Sequence, residues 1–161
     1  MTNTIKKFFT IVITGDSPSI GHYRGLSRQG EAEIAQAAKT LEDYSKKTVV
    51  IAGPTTADVA SAKLLCDTLG LQFIDCSCEI KISHDGSKLA QLMQDYQNDH
   101  INTIVAVDAH MANQCIQHIQ KKILKMTNIT VSVGLNKGDV LIIPCHNVRG
   151  TCRKGDLFIP D

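Results

Sequence analysis

The chain has 161 residues, 43% hydrophobic and 20% charged, a balance that suits one folded domain over 1–161 and excludes a disordered chain. Seventeen Lys and Arg stand against sixteen Asp and Glu, so the charge is close to even and no nucleic-acid partner is expected. No apolar run is long enough to cross a bilayer as a helix, which predicts no membrane insertion.

Lys6-Lys7 precedes Phe8 to Ile13, a short apolar run that leads straight into Gly15-Asp16-Ser17-Pro18 without a small-residue cleavage pattern. It reads as a first buried strand rather than an export signal. The six cysteines are then expected to be reduced, most of them small buried apolar groups, and the protein to be cytoplasmic. A loop follows at 14–19, and a helix is expected from near Ser27 to about Tyr44, with Ile34, Ala38 and Leu41 on one face.

Thr48 to Ala52 is a second buried strand, broken by Gly53-Pro54. Thr55 or Thr56 caps the next helix, where Val59, Ala62, Leu65 and Leu69 repeat at helical spacing until Gly70 stops it. Gln72 to Cys76 predicts a weaker strand, and Leu89, Leu92, Met93 and Tyr96 mark a further helix. Thr103 to Val107 is apolar on both faces, as a central strand should be. Ala112, Cys115, Ile116, Ile119 and Ile123 give a last helical stripe reaching about Lys125. In the tail, 129–133, 140–144 and 157–159 read as strands between turn-rich segments.

Strand–helix alternation followed by a β-rich tail predicts a three-layer α/β/α fold: a mostly parallel sheet with a β-hairpin-rich C-terminal tail. In such sheets ligands bind outside the carboxyl ends of the strands, so the segments to search are 14–25, 53–58, 78–86 and 108–113.

Those loops, taken in order, carry a resemblance. Ile11-Val12 leads into Gly15-Asp16; Leu26-Ser27-Arg28-Gln29-Gly30-Glu31-Ala32-Glu33 opens a helix; Ala52-Gly53-Pro54 precedes Ala60-Ser61-Ala62-Lys63-Leu64-Leu65. Thr103 to Val107 ends a strand, and Gly134 to Val140 forms a late turn. Over nearly its full length the chain resembles the histidine phosphatase (phosphoglycerate mutase-like) superfamily, in its short phosphohistidine-phosphatase branch. The resemblance implies a catalytic pocket with a nucleophilic His, a second His and two Arg. Phosphoryl transfer needs an in-line nucleophile and cations for the equatorial oxygens.

Carried over position by position, the resemblance puts the first Arg on Ile13, the nucleophile on Thr14, the second Arg on Ala57 and the second His on Ala109. None of the four groups is kept. A Thr hydroxyl is a poor nucleophile unless a neighbouring base activates it, and each lost charge-stabilising donor typically costs about a hundred- to a thousandfold in rate. The expectation is therefore no enzyme: a pseudo-phosphatase serving as a protein-binding, scaffolding or adaptor module. It would bind a protein partner or another copy of itself and use no cofactor.

The alternative is a divergent phosphatase or hydrolase using His110 with Asp16, Asp108 or His22, with or without a metal. Gly15, Asp16, His22 and Arg24 are the candidate anion-binding residues. Glu79 stands near where related enzymes carry an acidic proton donor. Cys76, Cys78, Cys145, His146 and Cys152 lack paired zinc-ligand spacing, so no metal site is expected.

Overall fold

The computed structural model describes residues 8–18, 25–42, 48–74, 86–98, 102–123 and 135–144. Strand β1 (Phe8–Ile13), β2 (Thr48–Ala52) and β4 (Asn102–Val107) are built from β-branched and apolar residues, which fit the pleated, covered surface of an inner strand. The sheet also contains β3 (Gln72–Phe73) and β5 (Val140–Pro144). Its order is β3-β2-β4-β1-β5. Strands β1 to β4 pair in parallel, whereas β5 runs antiparallel beside β1, with Ile11 opposite Leu141.

Helices α1 (Arg28–Thr40) and α2 (Thr56–Leu69) cover one face. Ile34, Ala38, Leu41, Ala62 and Leu65 meet Val12, Val50 and Ile104 there. Helices α3 (Gly86–Asn98) and α4 (Ala109–His118) cover the other face. There Leu89, Met93, Cys115 and Ile116 pack on Phe9, Ile11, Ile51 and Val105. Full burial of each Leu or Ile contributes about 1.5–3 kcal/mol, so both layers are held mainly by the apolar stripes visible in the sequence. This is the expected three-layer α/β/α architecture with a mostly parallel sheet.

Local chemistry sets the ends of these elements. The Ser27 hydroxyl caps α1 by accepting from the Gly30 N–H at 3.0 Å. That helix stops at Thr40, four residues short of the expected Tyr44, because the Leu41 N–H turns back to the Ala38 carbonyl in a tightened last turn. Gly70, at φ +69°, closes α2 in the left-handed conformation that a side chain would disfavour. Strand β3 is shorter than the expected 72–76, although the Ile74 N–H still reaches the Val50 carbonyl. Helix α4 gives way to a π-helical turn at Ile119–Ile123 rather than continuing regularly. The expected tail strands at 129–133 and 157–159 lie outside the described residues. Among the described residues no helix is long and apolar enough to cross a membrane.

Candidate active site

The carboxyl ends of β1, β2 and β4 converge, and an antiparallel β5 brings the turn that precedes it to the same end. The Ile13 N–H donates to the Asp139 carbonyl at 2.8 Å, and the Gly138 N–H donates to the Ile13 carbonyl at 2.9 Å. Beyond β1, the Thr14 N–H donates to the Val107 carbonyl at 3.0 Å. On the other side of β4, the Gly53 N–H donates to the Ala106 carbonyl at 2.8 Å. These bonds fix the rim of a cleft of about 480 Å³, lined among others by Ile13, Thr14, Ala57, Asp58, Asp108, Ala109 and Lys137. That is ample for a small ester.

The floor of the cleft holds a hydroxyl–carboxylate pair. Thr14 Oγ1 donates to Asp58 Oδ1 at 2.5 Å, with Thr14 7% exposed and Asp58 fully buried. Asp58 is placed by its own helix start: Thr55 Oγ1 accepts from the Asp58 N–H at 3.0 Å, and Asp58 Oδ2 accepts from the Thr55 N–H at 3.3 Å. This reciprocal capping box satisfies two helix-terminal donors and leaves the second carboxylate oxygen for Thr14. Burial raises the Asp58 carboxyl above its ordinary value, and the nearby Asp108 charge adds to the rise. The hydrogen bonds from Thr14 and Thr55 pull the other way without cancelling it.

At the rim, Lys137 Nζ sits 2.6 Å from Asp16 Oδ1. Asp16 is tied to α1, its Oδ2 accepting from Ser27 Oγ at 2.7 Å and its N–H donating to Glu33 Oε1 at 2.9 Å. The hydrogen bond from Lys137, and secondarily that from Ser27, lowers the Asp16 carboxyl; Asp16 in turn raises the Lys137 ammonium. Asp108 lines the cleft while its Oδ1 caps α4 by accepting from the Met111 N–H at 2.8 Å. The first turns of α2 and α4 thus both open onto the cleft, a favourable setting for an anion. Gly15 and Gly30 let the β1 loop lie against α1: a Cβ on Gly15 would stand 2.6 Å from the Gly30 carbonyl oxygen.

The structure brings Ile13, Thr14, Gly15, Ala57, Asp108 and Ala109 together around the cleft. His110, by contrast, is exposed on the first turn of α4 and is not among the described residues lining the cleft. Asp16 stands behind the rim as the partner of Lys137 rather than as a wall of the cleft. His22, Arg24, Glu79, Cys76, Cys78, Cys145, His146 and Cys152 lie outside the described residues. Among the described residues no three His, Cys, Asp or Glu side chains gather as a metal site. Burial pushes the Cys66 thiol up to about 11 and the Cys115 thiol up to about 12, so neither is poised as a nucleophile. Sequence reasoning missed Asp58 and Lys137. The signal for Asp58 was the Thr55-x-x-Asp58 capping spacing; no local signal marks Lys137.

No protein-family model matches the chain, and no curated protein matches its sequence. Solved structures do resemble it. One is mycobacterial glucosyl-3-phosphoglycerate phosphatase complexed with VO3, with TM-score 0.59 and 11% identity over 84% of this chain and 90% of that one. Another is the protein histidine phosphatase SixA complexed with tungstate, with TM-score 0.59 and 12% identity over 84% of this chain and 86% of that one. A third is phosphoserine phosphatase from Entamoeba histolytica with 3-phosphoglyceric acid, with TM-score 0.56 and 11% identity over 86% and 93%.

The chain has the histidine phosphatase fold. The expectation that it is no enzyme is overturned by these comparisons, because the structures it resembles are phosphatases. The physical reason the expectation erred is that it counted lost groups one position at a time. It could not see that Thr14 is bonded to a buried carboxylate or that the cleft remains open.

Proposed function

We propose that this chain, with its histidine phosphatase fold, is a divergent phosphatase that cleaves a phosphate ester in the cleft described above. Thr14 is the nucleophile and Asp58 its base. One observation carries the reading: the 2.5 Å hydrogen bond from Thr14 Oγ1 to a buried carboxylate on the cleft floor. A base with a raised pKa is better matched to taking a hydroxyl proton near neutrality than an ordinary carboxylate is.

The phosphoryl oxygens face Lys137 and the first-turn amides of α2 and α4, which supply positive potential. Thr14 Oγ1 bonds to phosphorus as its proton passes to Asp58, and the ester oxygen leaves, taking a proton from solvent. Water then attacks the phosphothreonine, and Thr14 recovers its proton from Asp58. Lys137 orients and stabilises rather than reacting. The cytoplasmic placement is kept, since buried thiols such as Cys66 and Cys115 suit a reducing compartment.

The test is turnover of 4-nitrophenyl phosphate and of bis(4-nitrophenyl) phosphate by the purified protein, beside Thr14→Val and Thr14→Ser. Wild-type turnover is expected to fall on the order of a thousandfold or more in Thr14→Val, as for loss of a nucleophile. Thr14→Ser keeps the hydroxyl and should retain part of it. Equal rates in wild type and Thr14→Val would refute the proposal.

A further inference from the structure

The charges that the described residues bring to the cleft are unlike those a doubly charged phosphate needs. Among the described residues that line it, the ionisable ones are Asp58, Asp108 and Lys137. The lysine is already paired with Asp16 at 2.6 Å. Among the described residues, a phosphoryl group entering here meets one shared cation, two carboxylates and the first-turn amides of α2 and α4. Ile13 and Ala57, at the positions where the resemblance implies Arg, add no charge.

A phosphate monoester dianion reacts through a loose transition state, in which positive groups around three equatorial oxygens do most of the work and the nucleophile does little. A phosphodiester differs on both counts. It carries a single negative charge, and one of those oxygens bears a second organic arm. Its leaving group also departs only with stronger participation by the nucleophile. Among its described residues the cleft is poor in what the monoester requires, and it supplies what the diester requires, a hydroxyl bonded to a buried base. Its remaining walls, among them Thr55, Thr56, Ala57, Ala109 and Leu135, are neutral and offer a surface for the second arm.

We propose that the substrate is a singly charged phosphodiester rather than a phosphate monoester, an inference that rests on the Thr14–Asp58 reading above. In the first step the Thr14 Oγ1–P bond forms, one ester P–O bond breaks, and the hydroxyl proton moves to Asp58 while the leaving group departs as phenolate, or as an alcohol by taking a proton from solvent. In the second step water adds to phosphorus and releases one proton to solvent. The Oγ1–P bond then breaks, and Thr14 takes back the proton held on Asp58. The products are a phosphate monoester and an alcohol.

Two measurements on the wild-type protein decide the matter. The first compares kcat/KM for bis(4-nitrophenyl) phosphate with that for 4-nitrophenyl phosphate. The second compares binding of dimethyl phosphate and methyl phosphate by calorimetry, which requires no turnover. The diester is expected to be favoured in both, on the order of tenfold, as charge complementarity predicts. Preference for the monoester in binding or turnover overturns the substrate assignment while leaving Thr14-dependent hydrolysis intact. Diester-selective binding without turnover of either ester keeps the substrate class and removes the catalytic reading. Binding of neither ester overturns this inference.

Discussion

At the residue scale the decisive feature is the pairing of Thr14 with Asp58. Replacing Thr14 by Val leaves a buried carboxylate short of one donor, at a cost of roughly 1–3 kcal/mol. Thr14→Ser should recover most of that loss, and chemical denaturation of the three proteins checks it. Asp58 also sets a pH dependence whose sign follows from its raised pKa. The folded state holds that proton more tightly than the unfolded chain, whose carboxyl titrates near 3.8. Its contribution to stability is therefore fully present below 3.8 and is lost as pH rises through the higher folded value. Asp58→Asn has no such group. The stability of Asp58→Asn relative to wild type should climb as pH rises from about 4 and then level off; a flat difference between melting curves would contradict the buried, desolvated carboxylate. In the proposed reaction the sign is opposite, since a base works only when ionised. The acid limb of the rate profile is expected at higher pH than for an unperturbed aspartate, and Asp58→Asn should abolish turnover.

At the scale of elements, the start of α2 does two jobs. The Thr55–Asp58 capping box satisfies two of the orphan donors of the helix, and it also aims a carboxylate at Thr14. Thr55→Ala should cost about 1 kcal/mol as loss of a cap. Because the same side chain holds Asp58 in place, kcat should drop more than KM changes. A loss of stability with unchanged kcat would separate the two roles. The contact of α1 with the loop after β1 is similarly close. A Cβ on Gly30 would press on the Asp16 backbone, so Gly30→Ala should destabilise by roughly 1–3 kcal/mol, in the range of overpacking. It should also weaken the Asp16–Lys137 pair, and thermal unfolding with substrate titration would register both effects.

At the scale of the whole molecule, the sheet separates two apolar layers that share no side chains. Ile34 lies fully buried on the α1–α2 side and Ile116 on the α3–α4 side. Ile34→Val and Ile116→Val are each expected to cost about 0.5–1.5 kcal/mol. The double variant should equal their sum within about 0.5 kcal/mol, since the two sites have no common partner. A larger deviation would show that strain passes through the sheet. The same layering explains the location of the cleft: helices cover both faces, and the cleft opens at the strand ends.

Sequence alone determined most of the described strands and helices, because their causes are local: apolar periodicity in β1, β2 and β4, Ser27 and Thr55 as caps, and Gly70 as a stop. It also carried the expectation, implied by the resemblance, that the family's Arg and His positions fall on Ile13, Thr14, Ala57 and Ala109. What surrounds those positions was decided only by tertiary structure. Thr14 and Asp58 lie 44 positions apart, and Asp16 and Lys137 lie 121 apart, so no local pattern connects either pair. The same applies to His110. One residue along a helix turns a side chain by about 100°, enough to leave Ala109 on the cleft wall and His110 in solvent. A chemically suggestive residue one place from the cleft wall was therefore weaker evidence than the packing of α2, which brings a buried carboxylate to an ordinary threonine.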